Sequence, residues 1–202
     1  MKSTVGLLIT MLIFALMPVA VQAAADRPLI VKGGSINFSF SQMGVTVDGS
    51  FSRYRGQIVL DAAQPANSSA DLQVDVASVD AGGDDANAEL VKPGWLDAVA
   101  HPQARFVSKT ITALGGSRYR ADGTLSIKGI AHAAQVPFEL REKPDGNAEV
   151  SGTFQIQRSD YKVGEGQWSA FDVVADAVQV KFHLLLGPAA QKSSTPVPRS
   201  VK

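Results

Sequence analysis

Apolar and polar residues alternate along much of this chain. Ile36, Phe38 and Phe40 are separated by Asn37 and Ser39, and Leu72, Val74 and Val76 by Gln73 and Asp75. Leu125 and Ile127 flank Ser126, and Val136, Phe138 and Leu140 interleave with Pro137 and Glu139. Val150, Phe154 and Ile156 continue the pattern. The longest run sets Val178, Val180, Phe182, Leu184 and Leu186 against Gln179, Lys181 and His183. Successive side chains of a strand point to opposite faces, so each run predicts a half-buried strand. Weaker versions at 45–51, 56–61 and 104–112 bring the expected total to eight or nine. Turn chemistry separates the runs at Gly33-Gly34, Gly115-Gly116, Asp122-Gly123 and Pro144-Asp145-Gly146-Asn147. Sequential strands with short turns predict an all-β, antiparallel meander.

One stretch, 81–102, lacks the alternation. Asp84-Asp85 suit the first turn of a helix, and Ala86, Ala88, Glu89 and Leu90 suit its continuation. Pro93-Gly94 ends it, and Leu90, Trp95 and Leu96 supply an apolar side. A short helix and loop at about 84–97 should therefore cover one end of the sheet.

Eight apolar faces can stack as a sandwich or close into a barrel, and alternation does not choose between them. Closure removes the exposed strand edges. An eight-stranded barrel is the size at which the interior is either filled by side chains or holds one ligand. The large inward candidates are Phe38, Phe40, Phe51, Phe106, Phe138, Phe154 and Phe182. They either pack a solid core or line an elongated apolar cavity.

The chain ends differ in character from the rest. Lys2, an almost wholly apolar stretch from Val5 to Ala20, and the small residues Ala23-Ala24-Ala25 form the pattern of a cleaved secretory leader, assigned to 1–23. Cleavage after Ala23 leaves 179 of the 202 residues, with the domain expected over 24–188. The remainder, 189–202, is polar, carries Pro196 and Pro198, and reads as a disordered tail. Acidic and basic residues balance at 19 each, so the basic excess of a nucleic-acid binder is missing. With no cysteine, stability has to come from packing.

Catalytic signatures are absent: the sequence has no GxSxG elbow, no HExxH and no glycine-rich phosphate loop. His101, His132 and His183 lie too far apart to suggest a metal site by spacing, and no enzyme or cofactor is expected. Basic residues pair at Arg53 and Arg55, Arg118 and Arg120, and Arg158 and Lys162, in what read as loops. If two pairs shared a rim they could hold an anionic head group, with Arg53, Arg55, Arg158 and Lys162 as candidates. Otherwise they are solubilising surface.

Several blocks recur in a recognisable order. They are Ser35-Ile36-Asn37-Phe38, Gly49-Ser50-Phe51, Gly56-Gln57-Ile58-Val59-Leu60-Asp61 and Ser78-Val79-Asp80, then His101-Pro102-Gln103-Ala104-Arg105-Phe106. Gly123-Thr124-Leu125-Ser126-Ile127-Lys128-Gly129, Arg158-Ser159-Asp160-Tyr161 and the last strand complete the set. On these blocks the chain, over about 30–186, resembles the bacterial YceI-like proteins, exported polyisoprenoid-binding proteins of lipocalin-like shape. The resemblance implies an eight-stranded antiparallel barrel whose lumen takes a long isoprenoid chain, either a polyisoprenoid or an isoprenoid quinone. Phe38, Phe40, Phe51, Trp95, Phe106, Leu125, Ile127, Phe138, Phe154 and Ile156 are expected to contact it, with Trp168 and Phe171 at a lid or rim. The resemblance also implies a periplasmic address, and admits a homodimer and a membrane cytochrome as partners. The competing reading is a non-catalytic stress-response or redox-associated interaction module with a packed core. Two departures fall near the mouth: Gln42 and Met43 stand where relatives carry a histidine, and Trp95-Leu96-Asp97 replaces an aromatic pair.

Overall fold

The computed structural model describes residues 25–61 and 64–189; the expected leader and almost all of the expected tail lie outside them. The described residues form a closed antiparallel barrel of eight staves. The first is β1 (Ala25–Gln42). The second is β2 (Val45–Phe51) and β3 (Tyr54–Leu60), one stave kinked at Ser52-Arg53. The third is β4 (Ser69–Asp75) and β5 (Val79–Asp80), broken by a 3-10 turn at Val76–Ser78. Then come β6 (Gln103–Gly115), β7 (Arg118–Ile127), β8 (Ile130–Glu142), β9 (Ala148–Gln157) and β10 (Ala177–Leu186). Each stave pairs with its predecessor, and β10 returns to β1 with Leu29 opposite Leu186 and Ile36 opposite Phe182. The sandwich alternative is thereby settled in favour of the barrel.

The kinked second and third staves are pinned to each other. Ser78 Oγ accepts from the Arg53 amide at 3.0 Å and donates to the Asp75 carbonyl at 2.7 Å. Two-residue turns join β1 to β2 at Met43-Gly44 and β7 to β8 at Lys128-Gly129. All four residues have positive φ, between 48° and 79°, the type I′ geometry whose twist matches the flanking strands.

Two expected turns proved to be parts of strands. Asp122-Gly123 lies inside β7, and Gly33-Gly34 lies inside β1, where the ladder to β10 shifts register between Ile30 and Ser35. At that bulge a Cβ on Gly34 would sit 2.3 Å from the Tyr54 hydroxyl, which donates to the Val31 carbonyl at 3.2 Å. Glycine here makes room for a phenol and does not turn the chain.

The antiparallel order sorts every connection to one end or the other. The β3–β4, β6–β7 and β8–β9 connections lie at what we term the base, with the start of β1 and the end of β10. The base is filled: Leu60, Tyr119, Phe138, Leu140, Ala148, Val150, Leu184 and Leu186 pack there and into the adjoining wall. The opposite end carries the predicted excursion, α1 (Asp84–Leu90) and the turns after it, together with the long β9–β10 connection, 158–176. These segments form a lid with its own apolar cluster of Val79, Leu90, Trp95 and Val174.

Candidate functional site: an apolar lumen under a stitched lid

Between base and lid the barrel encloses a cavity of about 230 Å³ with an almost wholly apolar wall. Its lining follows the strand alternation: Ile36, Phe38 and Phe40 from β1, Ala70, Leu72 and Val74 from β4, Leu125 and Ile127 from β7, Val136 and Phe138 from β8, and Phe154 and Ile156 from β9. Phe51, Phe106 and Trp95, all expected as chain contacts, also line it, as does Leu96. The structure thus brings together ten of the twelve residues singled out as chain contacts.

Glycines help to keep the lumen open beside so many phenylalanines. A Cβ on Gly49 would fall 2.2 Å from Phe38 Cζ, on Gly123 2.8 Å from Phe106 Cζ, and on Gly152 2.6 Å from Phe182 Cζ. Each ring lies over a glycine of the neighbouring strand and so occupies space a side chain would have taken. Small residues at Ala70, Ala104 and Ala121 widen the lumen further. Sequence reasoning missed these positions, because an alternating small residue carries no hydrophobic signal.

An aromatic file leads from the wall into the lid. Phe51 meets Phe38 at 5.4 Å between centroids, Phe38 meets Phe40 at 6.3 Å, Phe40 meets Trp95 at 6.3 Å, and Trp95 meets Trp168 at 5.8 Å. Trp168, unlike Trp95, does not line the cavity. Its Nε1 donates to Glu89 Oε1 at 2.9 Å, tying the β9–β10 connection to α1. Lys92 beside it, and then Trp168, hold the Glu89 carboxyl below its ordinary range. Phe171 is 57% exposed on the outside of the lid, with the Arg158 guanidinium 5.4 Å from its ring centre.

The lid is stitched to itself and to the barrel. The amides of Gly164 and Glu165 both donate to the Gly94 carbonyl, at 2.9 and 2.8 Å. Lys128, in the β7–β8 turn, donates to the Lys162 carbonyl at 2.7 Å and to Glu165 Oε2 at 2.9 Å, which lowers the Glu165 pKa. The Met43 amide donates to the Val173 carbonyl at 2.8 Å.

Arg158 is the knot of this arrangement and revises the head-group expectation. Only 3% exposed, it spends all five N–H groups on backbone carbonyls. Nε reaches Ala175 O, Nη1 reaches Val163 O and Gly164 O, and Nη2 reaches Trp168 O and Val174 O, at 2.7–3.2 Å. Burial lowers its pKa. With no donor left, it holds the connection in shape and is not free to grip a phosphate. The other candidates do not converge with it. Arg53 is exposed on the outer wall and pairs with Asp75 at 2.8 Å. Arg55, Arg118 and Arg120 lie in strands, not in loops. Lys162 is exposed, in a left-handed conformation after the 3-10 turn Arg158–Tyr161. Among the described residues no group of three His, Asp or Glu side chains gathers as a metal site would require.

A closed β-barrel with an apolar lumen and a lid is the architecture of a lipocalin-like binding protein. A family model for the YceI-like domain matches residues 29–186, and the chain belongs to that family. BcnA of Burkholderia cenocepacia, known from its crystal structure, is 36% identical, with 78% of this chain and 98% of that one aligned at a TM-score of 0.75. A UPF0312 protein of Shewanella denitrificans is 31% identical over 118 residues, which span 57% of this chain and 61% of that protein. A polyisoprenoid binding domain from Saccharophagus degradans, implicated in plant cell wall breakdown, is 16% identical, with a TM-score of 0.65 over 82% of this chain and 99% of that one; this likeness shows the fold. Family and cavity together point to a binding protein.

Proposed function

We propose that this protein is an exported carrier or reservoir that holds one long apolar lipid, of the polyisoprenoid class, in the barrel lumen. The apolar cavity carries the reading, because such a wall offers a hydrocarbon chain burial and offers a polar metabolite almost nothing. Each CH₂ removed from water contributes about 0.8 kcal/mol, so an apolar chain can be held in the lumen without any strong polar contact. The polyisoprenoid-binding description of the Saccharophagus degradans domain, which shares this barrel, supports the ligand class. The leader pattern over 1–23 supports export, with the periplasm as the address.

Native mass spectrometry of the protein purified from its own host, followed by organic extraction, tests the proposal. A discrete adduct that extracts as a long-chain isoprenoid is the expected result. A bare polypeptide mass, unchanged on adding such lipids, would replace the carrier with an interaction module. A quinone absorbance in the extract would assign an isoprenoid quinone and make a membrane cytochrome the partner to seek.

A further inference from the structure

The wall of the barrel has one incomplete seam. β8 runs from Ile130 to Glu142 and β9 from Ala148 to Gln157, yet their ladder covers the base side alone, where Glu139–Glu142 pair with Ser151–Ala148. Each strand keeps its other neighbour to the lid end: β7 and β8 stay paired as far as Ile127 and Ile130, and β9 and β10 as far as Gln157 and Ala177. The ladder stops beside Pro137. That residue stands opposite Arg120 within the β7 ladder, so the N–H it lacks belongs to the side facing β9. Alternation then turns the amides of Ala133 and Gln135 toward the same seam, and those of Ala134 and Val136 toward β7. The two sides are tied again at the lid end, where His132 Nε2 donates to the Asp160 carbonyl at 3.0 Å and its ring stands edge-on to Tyr161, 5.1 Å between centroids. From Pro137 to His132 the unlaced stretch is about 16 Å long, at roughly 3.3 Å per residue.

The lips of this seam suit a hydrocarbon. Val136, Phe154 and Ile156 line the lumen on its inner side. Apart from His132, residues 131–136 and 153–157 carry no ionisable side chain, whereas the outer wall elsewhere bears ion pairs such as Arg53–Asp75 and Arg105–Asp71. A chain crossing here breaks no ladder bond between the two strands and desolvates no fixed charge. The lid is the costlier door, since lifting it would strip Arg158 of its five carbonyls and part Lys128 from Glu165. We propose that the β8–β9 seam is the portal by which an apolar chain enters and leaves the lumen sideways, with the lid staying shut and the His132–Tyr161 contact bolting the lid-side end of the opening. The inference rests on the carrier reading above and specifies the route its ligand takes.

Two measurements test it. Residue-resolved hydrogen exchange on the native protein reads the seam itself. The amides of Ala133 and Gln135 should exchange at least about tenfold faster than those of Ala134 and Val136, which bond to β7. Equal protection along 133–136 would overturn the seam. The second measurement reads the route. The chain has no cysteine, so thiol pairs can be introduced one at a time. Gln135→Cys with Gln155→Cys spans the seam on its outer face, the two positions standing opposite each other in the register continued from Glu139 and Ser151. Met43→Cys with Val173→Cys ties the lid to the barrel, where the Met43 amide already meets the Val173 carbonyl. Each double variant is joined with a short bismaleimide and compared with the same variant capped by N-ethylmaleimide. Uptake of geranylgeraniol is followed by stopped-flow tryptophan fluorescence. Bridging the seam should slow uptake at least about tenfold, while bridging the lid changes it less than about twofold. Slowing by the lid bridge, or none by the seam bridge, would overturn the portal while leaving the carrier intact. Should a capped variant fail to fold, the exchange comparison in the native protein decides. If wild type takes up no geranylgeraniol, the carrier reading itself falls, and the portal with it.

Discussion

Replacing Arg158 with methionine keeps much of the side chain's length and apolar contact but removes five donors. It leaves the carbonyls of Val163, Gly164, Trp168, Val174 and Ala175 without their partner. Hydrogen bonds to a charged group are worth about 1.5–3 kcal/mol each, so simple addition would give about 7–15 kcal/mol. That sum exceeds what can be observed, because the segment can swing outward and rehydrate its carbonyls. The loss is therefore capped at the free energy of opening the lid, about 3–5 kcal/mol, as when one partner of a buried charged network is deleted. At about 2–4 °C per kcal/mol for a domain of this size, the melting temperature should fall by roughly 6–20 °C if lid and barrel melt together. If they melt separately, Tm holds but the lid opens. The protein's two tryptophans, Trp95 and Trp168, both sit in the lid, so their emission should shift to the red. Arg158→Lys should recover less than half of the loss, because an ammonium has three donors and no planar fork. An unchanged melting temperature together with unchanged tryptophan emission in Arg158→Met would refute the assignment of Arg158 as the knot of the lid.

Ala121→Phe should fill the middle of the lumen, weakening chain binding at least about tenfold in a lipid titration while leaving the circular dichroism spectrum of the barrel intact. Gly49→Ala places a methyl 2.2 Å from Phe38 Cζ and 2.8 Å from the Asp80 carbonyl, so it should cost about 1–3 kcal/mol in denaturant unfolding and drive the ring into the lumen. Glu89, whose pKa is lowered in the folded lid chiefly by Lys92, stabilises the lid fully above the ordinary carboxylate pKa of 4.5 and loses that contribution as pH falls through its lower folded value. Acid titration of tryptophan fluorescence should accordingly show a transition below pH 4.5 that is reduced in Glu89→Gln; an identical transition in the variant would assign it to another carboxylate.

Much of this molecule could be read from alternation alone. The runs around Phe38, Val74, Phe138 and Phe182 became strands with the apolar set turned inward, because a period of two leaves a barrel strand no other way to face. The interruption near Asp84 became α1 and the lid. What stayed hidden depended on partners distant in sequence. Gly123 carries turn chemistry beside Asp122, but its role is to receive Phe106 from the next strand. Arg158 looked like one of a pair of rim cations, because the five carbonyls that enclose it converge only once 163–175 has folded back. Met43-Gly44 and Lys128-Gly129 were overlooked as turns because methionine and lysine rarely take the left-handed conformation found there. The hollow itself was the least legible feature, since it is a volume left between side chains and no residue encodes it.

The pairing of β1 with β10 also imposes a schedule on the chain. Leu29 meets Leu186, so the cylinder cannot be completed until nearly the whole polypeptide is available. Contacts of such separation close slowly. Until they do, β1 and β9 present two bare hydrogen-bonding edges beside an uncovered apolar surface. A chain interrupted before residue 177 would be held in that state permanently, unable to enclose a lipid and ready to pair with its own copies. The last ten-residue strand thus decides both whether the lumen exists and whether the chain remains monomeric long enough to form it.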